Sequence, residues 1–421
     1  MSMKIFNRYI TILFAGTLIL SLSSCNWWTK ESQEYDKSLI IYMASNNNLT
    51  SYAISNLKSI KEGFVPKYEG DKKGSVLLVY YHLTGENPVL LRIFKDEEGV
   101  VREERVVEYE YQNSVDAQVM NSVLDKVATL FPAKENGLIM WSHATGWLPK
   151  KFYANPTRSS GDFAMQMTLE EDPYAHLVKS FGEDQGSVTG SNVSEMDIVD
   201  MAVAMPVKYH YVIFDCCLMG GIEVAYEMKD VCDYVIASPT EILANGFPYD
   251  KIMEPLLKGA SADLKKACEV YFDHYNSQSG NSKSATIALV KTSALENLAD
   301  SFKTLFNAGG REAIDNLNMG AIQPYYRMDR RWFFDLGNLA KDIAADINRS
   351  DLYSGISSAL SNAVIYKATT EKFLSIQIDP AKYSGLSTYI NNSSLLTPLE
   401  KATLDEYYKK LAWNKACGMV E

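Results

Sequence analysis

Tyr211-Val212-Ile213-Phe214-Asp215-Cys216-Cys217-Leu218-Met219-Gly220-Gly221 sets an apolar run against an acid, two thiols and a pair of glycines. The run 211–214 has the composition of a strand covered on both faces. The glycines then let the chain turn into a helix over about 221–228, so the stretch is half of a βα unit. The same grammar recurs on either side. Residues 39–43, 75–83 and 137–141 are further buried-strand runs, and Ser45-Asn46-Asn47-Asn48 is a turn and cap cluster before a helix over 49–60. Residues 90–94 lead through Asp96-Glu97-Glu98-Gly99 to a turn. Val119, Val123, Val127 and Leu130 share one face of a helix over 115–130. A helix over 194–204 precedes the opening stretch; strands over 234–237 and 285–290 and a helix over 295–306 follow it. Strands alternating with helices predict an α/β fold with a parallel or mostly parallel sheet and helices on both faces.

In such sheets ligands gather beyond the carboxyl ends of the strands. Two strands end there in reactive side chains: Trp141-Ser142-His143 and Asp215-Cys216-Cys217. A cysteine attacks a carbonyl as its thiolate, which requires a lowered pKa or a neighbouring base. Cys217 stops a strand just before a helix whose positive end favours a thiolate. His143 is followed by Ala144-Thr145-Gly146-Trp147, a turn of mostly small residues whose backbone N–H groups can face an oxyanion. Losing one such donor raises a barrier by about 2.7–4 kcal/mol. His143 precedes Cys217 by 74 positions (217 − 143), so their partnership must be spatial.

The chain has 421 residues, 47% of them hydrophobic and 22% charged, with a formal net charge of −11. This is an ordinary soluble composition that argues against nucleic acid and against binding to anionic lipid through basic patches. Lys4 and Arg8 precede an apolar run over 10–22 that is too short to span a bilayer. The run ends in Leu22-Ser23-Ser24-Cys25, which resembles the lipobox of bacterial lipoproteins. The expectation is a signal peptide over 1–24, lipidation at Cys25, a tether over 25–37 and a lipid anchor in the cell envelope, at the outer membrane, facing the periplasm or exposed at the surface. The other five cysteines are odd in number and lack a CxxC spacing, so neither a disulfide framework nor a zinc site is indicated.

The words around the two reactive residues narrow the reading. Asp215-Cys216-Cys217-Leu218-Met219, continuing to Glu223-Val224-Ala225-Tyr226-Glu227, resembles the nucleophile segment of the clostripain family of cysteine peptidases, with Cys216 where that family usually has alanine. Leu138-Ile139-Met140-Trp141-Ser142-His143-Ala144-Thr145-Gly146-Trp147 is similar to its histidine turn, with Ala144 in place of a glycine. Tyr42-Met43-Ala44 through Asn48-Leu49, Ala237-Ser238 through Gly246-Phe247-Pro248-Tyr249, and Gly385-Leu386-Ser387-Thr388-Tyr389 match further family words. The resemblance runs from about residue 39 to 413.

It implies a caspase–haemoglobinase α/β/α sandwich and a catalytic dyad of His143 and Cys217, with the N–H groups of Ala144 and Cys217 as oxyanion donors. It further implies cleavage after arginine or lysine, with Asp215 holding the substrate's cation. Glu241 and Asp233 are nearby candidates for a second pocket acid. Family members are often cut between the histidine and cysteine segments. The irregular stretch 149–190 lies there with Lys150, Lys151, Arg158 and Lys179, and Arg158 or Lys151 is the first expectation for processing. The chemistry requires neither metal nor cofactor. Calcium helps some members, but Glu170-Glu171-Asp172 and Glu183-Asp184 lack the form of a calcium loop and are expected to be solvated. The catalytic core is expected over 38–284, with a C-terminal α/β region, 285–421, packed on it, the whole a monomer acting on peptides or proteins. The alternative reading is a weak or inactive relative, a lipoprotein that binds peptides or a surface partner in the same cleft.

Overall fold

The computed structural model describes residues 34–68, 74–152, 181–186, 194–327 and 329–421. Five strands with few charges form the middle of its main sheet: β1 (Tyr35–Ser45), β2 (Ser75–Leu83), β5 (Ala133–Trp141), β8 (Tyr209–Asp215) and β9 (Cys232–Ala237). They run parallel in the order β2-β1-β5-β8-β9, and residues 39–43 of β1 are almost wholly buried. Full burial of successive residues requires cover on both faces, because neighbouring side chains point to opposite sides.

Antiparallel strands extend the sheet at both edges. Beyond β2 lie β3 (Val89–Lys95) and β4 (Val101–Glu108); beyond β9 lie β10 (Thr286–Lys291) and β11 (Val364–Thr369), giving nine strands. β4 is not among the strands the sequence predicts, and its Arg102-Glu103-Glu104-Arg105 is largely exposed. Charge at a sheet edge discourages pairing with another chain and also conceals the strand in the sequence. A small separate pair, β6 (Phe181–Asp184) and β7 (Ser194–Met196), precedes β8; β7 and the helix after it replace the single helix expected over 194–204.

The helices form two layers. α1 (Thr50–Glu62), α5 (Tyr249–Leu257) and α6 (Leu264–Asn276) pack in sequence along one face of the sheet. The other layer runs α2 (Ala117–Leu130), α3 (Ile198–Val203), α4 (Ile222–Glu227), α11 (Ala412–Cys417), α7 (Leu295–Leu305), α9 (Ser350–Ala363) and α8 (Leu336–Asp346). α10 (Pro398–Tyr408) opens on a reciprocal cap between Thr397 and Glu400. The result is the expected α/β/α sandwich.

Two expected boundaries move. Residues 35–37, assigned to a tether, already belong to β1, and the buried Lys37 donates to the carbonyl of Lys258. No seam falls between 284 and 285: β10 and β11 continue the central sheet, and residues 34–421 form one compact unit. No helix among the described residues is long and apolar enough to cross a membrane. Cys25 lies outside the described residues.

Candidate active site

Parallel register brings four strand ends to one rim. Met43 lies beside Trp141, and Trp141 beside Asp215, so the segments after β1, β5, β8 and β9 leave the sheet together. Those segments carry Asn48, His143, Cys217 and Glu241. His143, Cys217, Asp215, Ile242 and Gly246 line one cavity of about 30 Å³, room for little more than a water. Residues 74 positions apart thus share one site. A lysine or arginine side chain does not fit in a space of that size.

His143 is 2% exposed. Its Nε2 lies 2.7 Å from Asn48 Oδ1, and its carbonyl accepts from the N–H of Gly182 at 2.9 Å. In the sequence Asn48 is visible only as part of a turn and cap cluster and of a family word. Its tie to the ring depends on the register of β1 against β5, which no local signal reveals.

Cys217 is 8% exposed. Its sulfur accepts from the N–H of Ile242 at 3.4 Å and lies 3.7 Å from the Ile242 carbonyl. Burial pushes the thiol up to about 12, with Glu241 and Asp215 adding to the rise; the Ile242 N–H and Arg327 oppose it. The expected stabilisation of a thiolate by a helix start is therefore not what this conformation supplies. α4 begins only at Ile222, and Cys217 sits under the segment after β9 with its thiol raised by burial. Cys216 also lines the cavity; its thiol donates to the carbonyl of Met140 at 3.0 Å, and burial raises it well above the ordinary range. Cys232, Cys268 and Cys417 are also free and buried.

The cysteine and histidine turns pack on each other. Leu218 has φ +62°, and its N–H donates to Thr240 O at 2.9 Å. Gly146 has φ +62°, and a Cβ there would lie 2.6 Å from the carbonyl oxygen of Leu218, so glycine is required on both counts. Ala144 is buried and does not have a positive φ, so alanine replaces the family's glycine without backbone strain. Glu223 Oε1 accepts from Thr388 Oγ1, the N–H of Tyr389 and Tyr408 Oη at 2.7–2.9 Å. Trp147 packs against the rings of Tyr389 and Tyr408. The word 385–389 thus buttresses both turns.

The acids separate by place. Asp215 lines the cavity, but its Oδ2 already accepts from Tyr249 Oη at 2.8 Å and the N–H of Phe247 at 3.2 Å. Burial lifts its carboxyl to about 6 despite those bonds. Asp233 lies at the opposite end of β9, paired with Lys208 at 2.6 Å, so it is not a pocket acid. Glu241 is at the correct end and meets Arg327. Asp184, expected to be solvated, is instead buried: it accepts from Asn46, Tyr111 and the N–H groups of Ser114 and Gly186, with His82 Nδ1 at 3.2 Å. Lys151 is exposed, and its N–H donates to Glu195 at 2.7 Å; Arg158, Lys179 and residues 170–172 lie outside the described residues. Among the described residues there is no group of three or more His, Cys, Asp or Glu that could hold a metal ion.

The model of the clostripain family matches residues 41–164 and 172–417. The chain belongs to the clostripain family. Solved structures with the same fold include an inactive zymogen C11 protease from Parabacteroides distasonis, at 29% identity and a TM-score of 0.72, covering 91% of this chain and 98% of that one. A secreted C11 cysteine protease from Bacteroides thetaiotaomicron, solved with an irreversible peptide inhibitor, has 26% identity and a TM-score of 0.71, covering 91% and 99%. No curated protein matches the chain. This clostripain-family member is a cysteine peptidase with a caspase-like α/β/α core.

Proposed function

We propose that the chain is an endopeptidase that cleaves after arginine or lysine through Cys217 and His143, in a latent conformation here. The observation that carries this reading is the shared cavity at the strand ends, lined by both residues. In the reaction, His143 takes the proton of Cys217 and the thiolate attacks the scissile carbonyl, while the N–H groups of Cys217 and Ala144 hold the oxyanion. His143 returns the proton to the leaving amine. Water, deprotonated by the same imidazole, then hydrolyses the thioester. Asp215 lines the wall where the substrate's cation would lie.

Latency is supported by the small cavity and the raised thiol. Processing in 149–190, first after Arg158 or Lys151, is the proposed route to the open form, and Cys25 the proposed lipid attachment to the cell envelope. The test is a peptide-library digest read by mass spectrometry, with Cys217→Ala and Cys216→Ala run alongside. Cleavage after basic residues that vanishes only in Cys217→Ala supports the reading; cuts elsewhere, or survival in Cys217→Ala, overturn it.

A further inference from the structure

A second cavity opens on the same rim, where Ser45 of β1 lies beside Leu83 of β2. It has a volume of about 240 Å³, against about 30 Å³ around Cys217, and its lining includes Asn46, His82, Glu86, Tyr111 and Gln185. Its floor is buried and its mouth is open: Asn46 and His82 are 3% and 1% exposed, whereas Glu86 and Tyr111 are exposed. Drug-sized ligands occupy pockets of roughly 300–1,000 Å³, so this space suits one long side chain. The floor also holds an unmet bond. His82 Nδ1 lies 3.2 Å from Asp184 Oδ2 and 2.8 Å from Ser114 Oγ, while Nε2 is buried with no hydrogen-bond partner among the described residues. Burial would raise the Asp184 carboxyl, but His82 and the N–H groups of Ser114 and Gly186 outweigh it and hold the group below its ordinary range. An ionised carboxylate can only accept, so Nδ1 carries the ring proton and Nε2 presents a lone pair.

Three further groups around this space accept rather than donate. Asn46 directs its Nδ2 to Asp184 Oδ1 at 2.8 Å and to the Gly186 carbonyl, which leaves its Oδ1. Tyr111 donates its O–H to Asp184 at 2.9 Å, and Glu86 brings a carboxylate. Neither lysine nor arginine is among the described residues that line the cavity, and among the described residues none pairs with Asp184 beneath it. A space rich in acceptors, between two carboxylates, suits a side chain that is cationic and rich in donors.

The strand order places that cation on a substrate. From β8, which carries the nucleophile, the strands run β5, β1 and β2, so the base at the end of β5 stands between Cys217 and this cavity. His143 hands its proton to the leaving amine, which puts the chain after the cut bond on the side of His143 away from Cys217. Neighbouring strands lie about 4.7–4.9 Å apart, so the end of β2 is roughly 10 Å beyond β5, or two to three residues of extended chain. Bonds tie the two places together. The Gly182 N–H donates to the His143 carbonyl at 2.9 Å, two residues before Asp184, and Asn48 meets the His143 ring two residues after Asn46. We propose that this cavity is a leaving-side subsite that binds a lysine or arginine two or three residues after the cleaved bond, with His82 Nε2 and Glu86 as its acceptors. This deepens the reading of a peptidase working through Cys217 and His143, and it rests on that reading.

The experiment takes the full chain after processing and internally quenched peptides with arginine before the bond. The second or third position after the bond carries lysine, arginine, norleucine or glutamate, and each cut is assigned by mass. At one of those positions wild type should favour lysine and arginine over norleucine at least tenfold in kcat/KM. Glu86→Gln and His82→Asn should each reduce that ratio at least threefold, and Glu86→Lys should turn it towards glutamate. Asparagine at 82 keeps a donor for Asp184 but ends short of the Nε2 position. Glu86 lies on an exposed turn, so its variants serve if His82→Asn fails to fold. Equal rates for lysine and norleucine at both positions overturn this proposal alone, as does a preference unchanged in Glu86→Gln and Glu86→Lys. If the processed chain cuts none of these peptides, or still cuts them in Cys217→Ala, the reading beneath falls and this proposal with it.

Discussion

Asn48 and Cys216 show how single residues divide labour at the rim. Asn48 Oδ1 lies 2.7 Å from His143 Nε2, so in the proposed mechanism it positions the imidazole. Asn48→Ala should lower kcat about ten- to a hundredfold with little change in KM; an equal rise in KM would point to lost substrate contact instead. The Cys216 thiol donates to the carbonyl of Met140, and Cys216→Ser should leave reaction with an active-site ketone intact. Asp215 makes a separate prediction about stability. Its folded carboxyl titrates near 6, above the ordinary carboxylate value of 3.8, so the folded state binds the extra proton more tightly. Stability should therefore fall as pH rises from about 4 to 6.5, by roughly 3 kcal/mol for a two-unit shift. Urea unfolding across that window should show the slope in wild type and lose it in Asp215→Asn. A slope of the opposite sign would contradict the assignment.

The elements near the site depend on one another more than the sequence discloses. Gly146→Ala would place a Cβ on the Leu218 carbonyl at a left-handed position, so it should cost about 1–3 kcal/mol in thermal denaturation and reduce activity as well. Glu223→Ala would strand three buried donors at about 1–3 kcal/mol each, whereas Glu223→Gln keeps an acceptor and should be much milder. The apolar runs of β1, β5 and β8 made these elements legible, because strands covered on both faces need nearly unbroken hydrophobicity. The reactive residues at their ends were legible for the same reason. β4 was hidden because its edge is charged, and Asp184 because its partners, Asn46, Tyr111 and Ser114, come from distant loops. The neutral state of Cys217 was also beyond the sequence: it depends on how the segment 238–246 folds back over the sulfur.

Across the whole molecule, a parallel sheet brings His143, Asp215 and Cys217 to one rim, around a cavity of about 30 Å³. The C-terminal third takes part directly: it supplies two sheet strands, the buttress at Thr388 and Tyr389, and Arg327. A chain truncated near residue 284 should consequently be insoluble or unfolded by circular dichroism, and a folded, active product would refute this view of the architecture. Burial pushes the Cys217 thiol up to about 12, which keeps it neutral at pH 8 in this conformation. The most direct measurement is intact-mass and peptide mapping after exposure to an irreversible ketone carrying lysine or arginine, before and after processing. One adduct on Cys217, slow in the closed chain, fast in the processed one and absent in His143→Ala, is the predicted result. Labelling at another cysteine, or none in the processed chain, would contradict it.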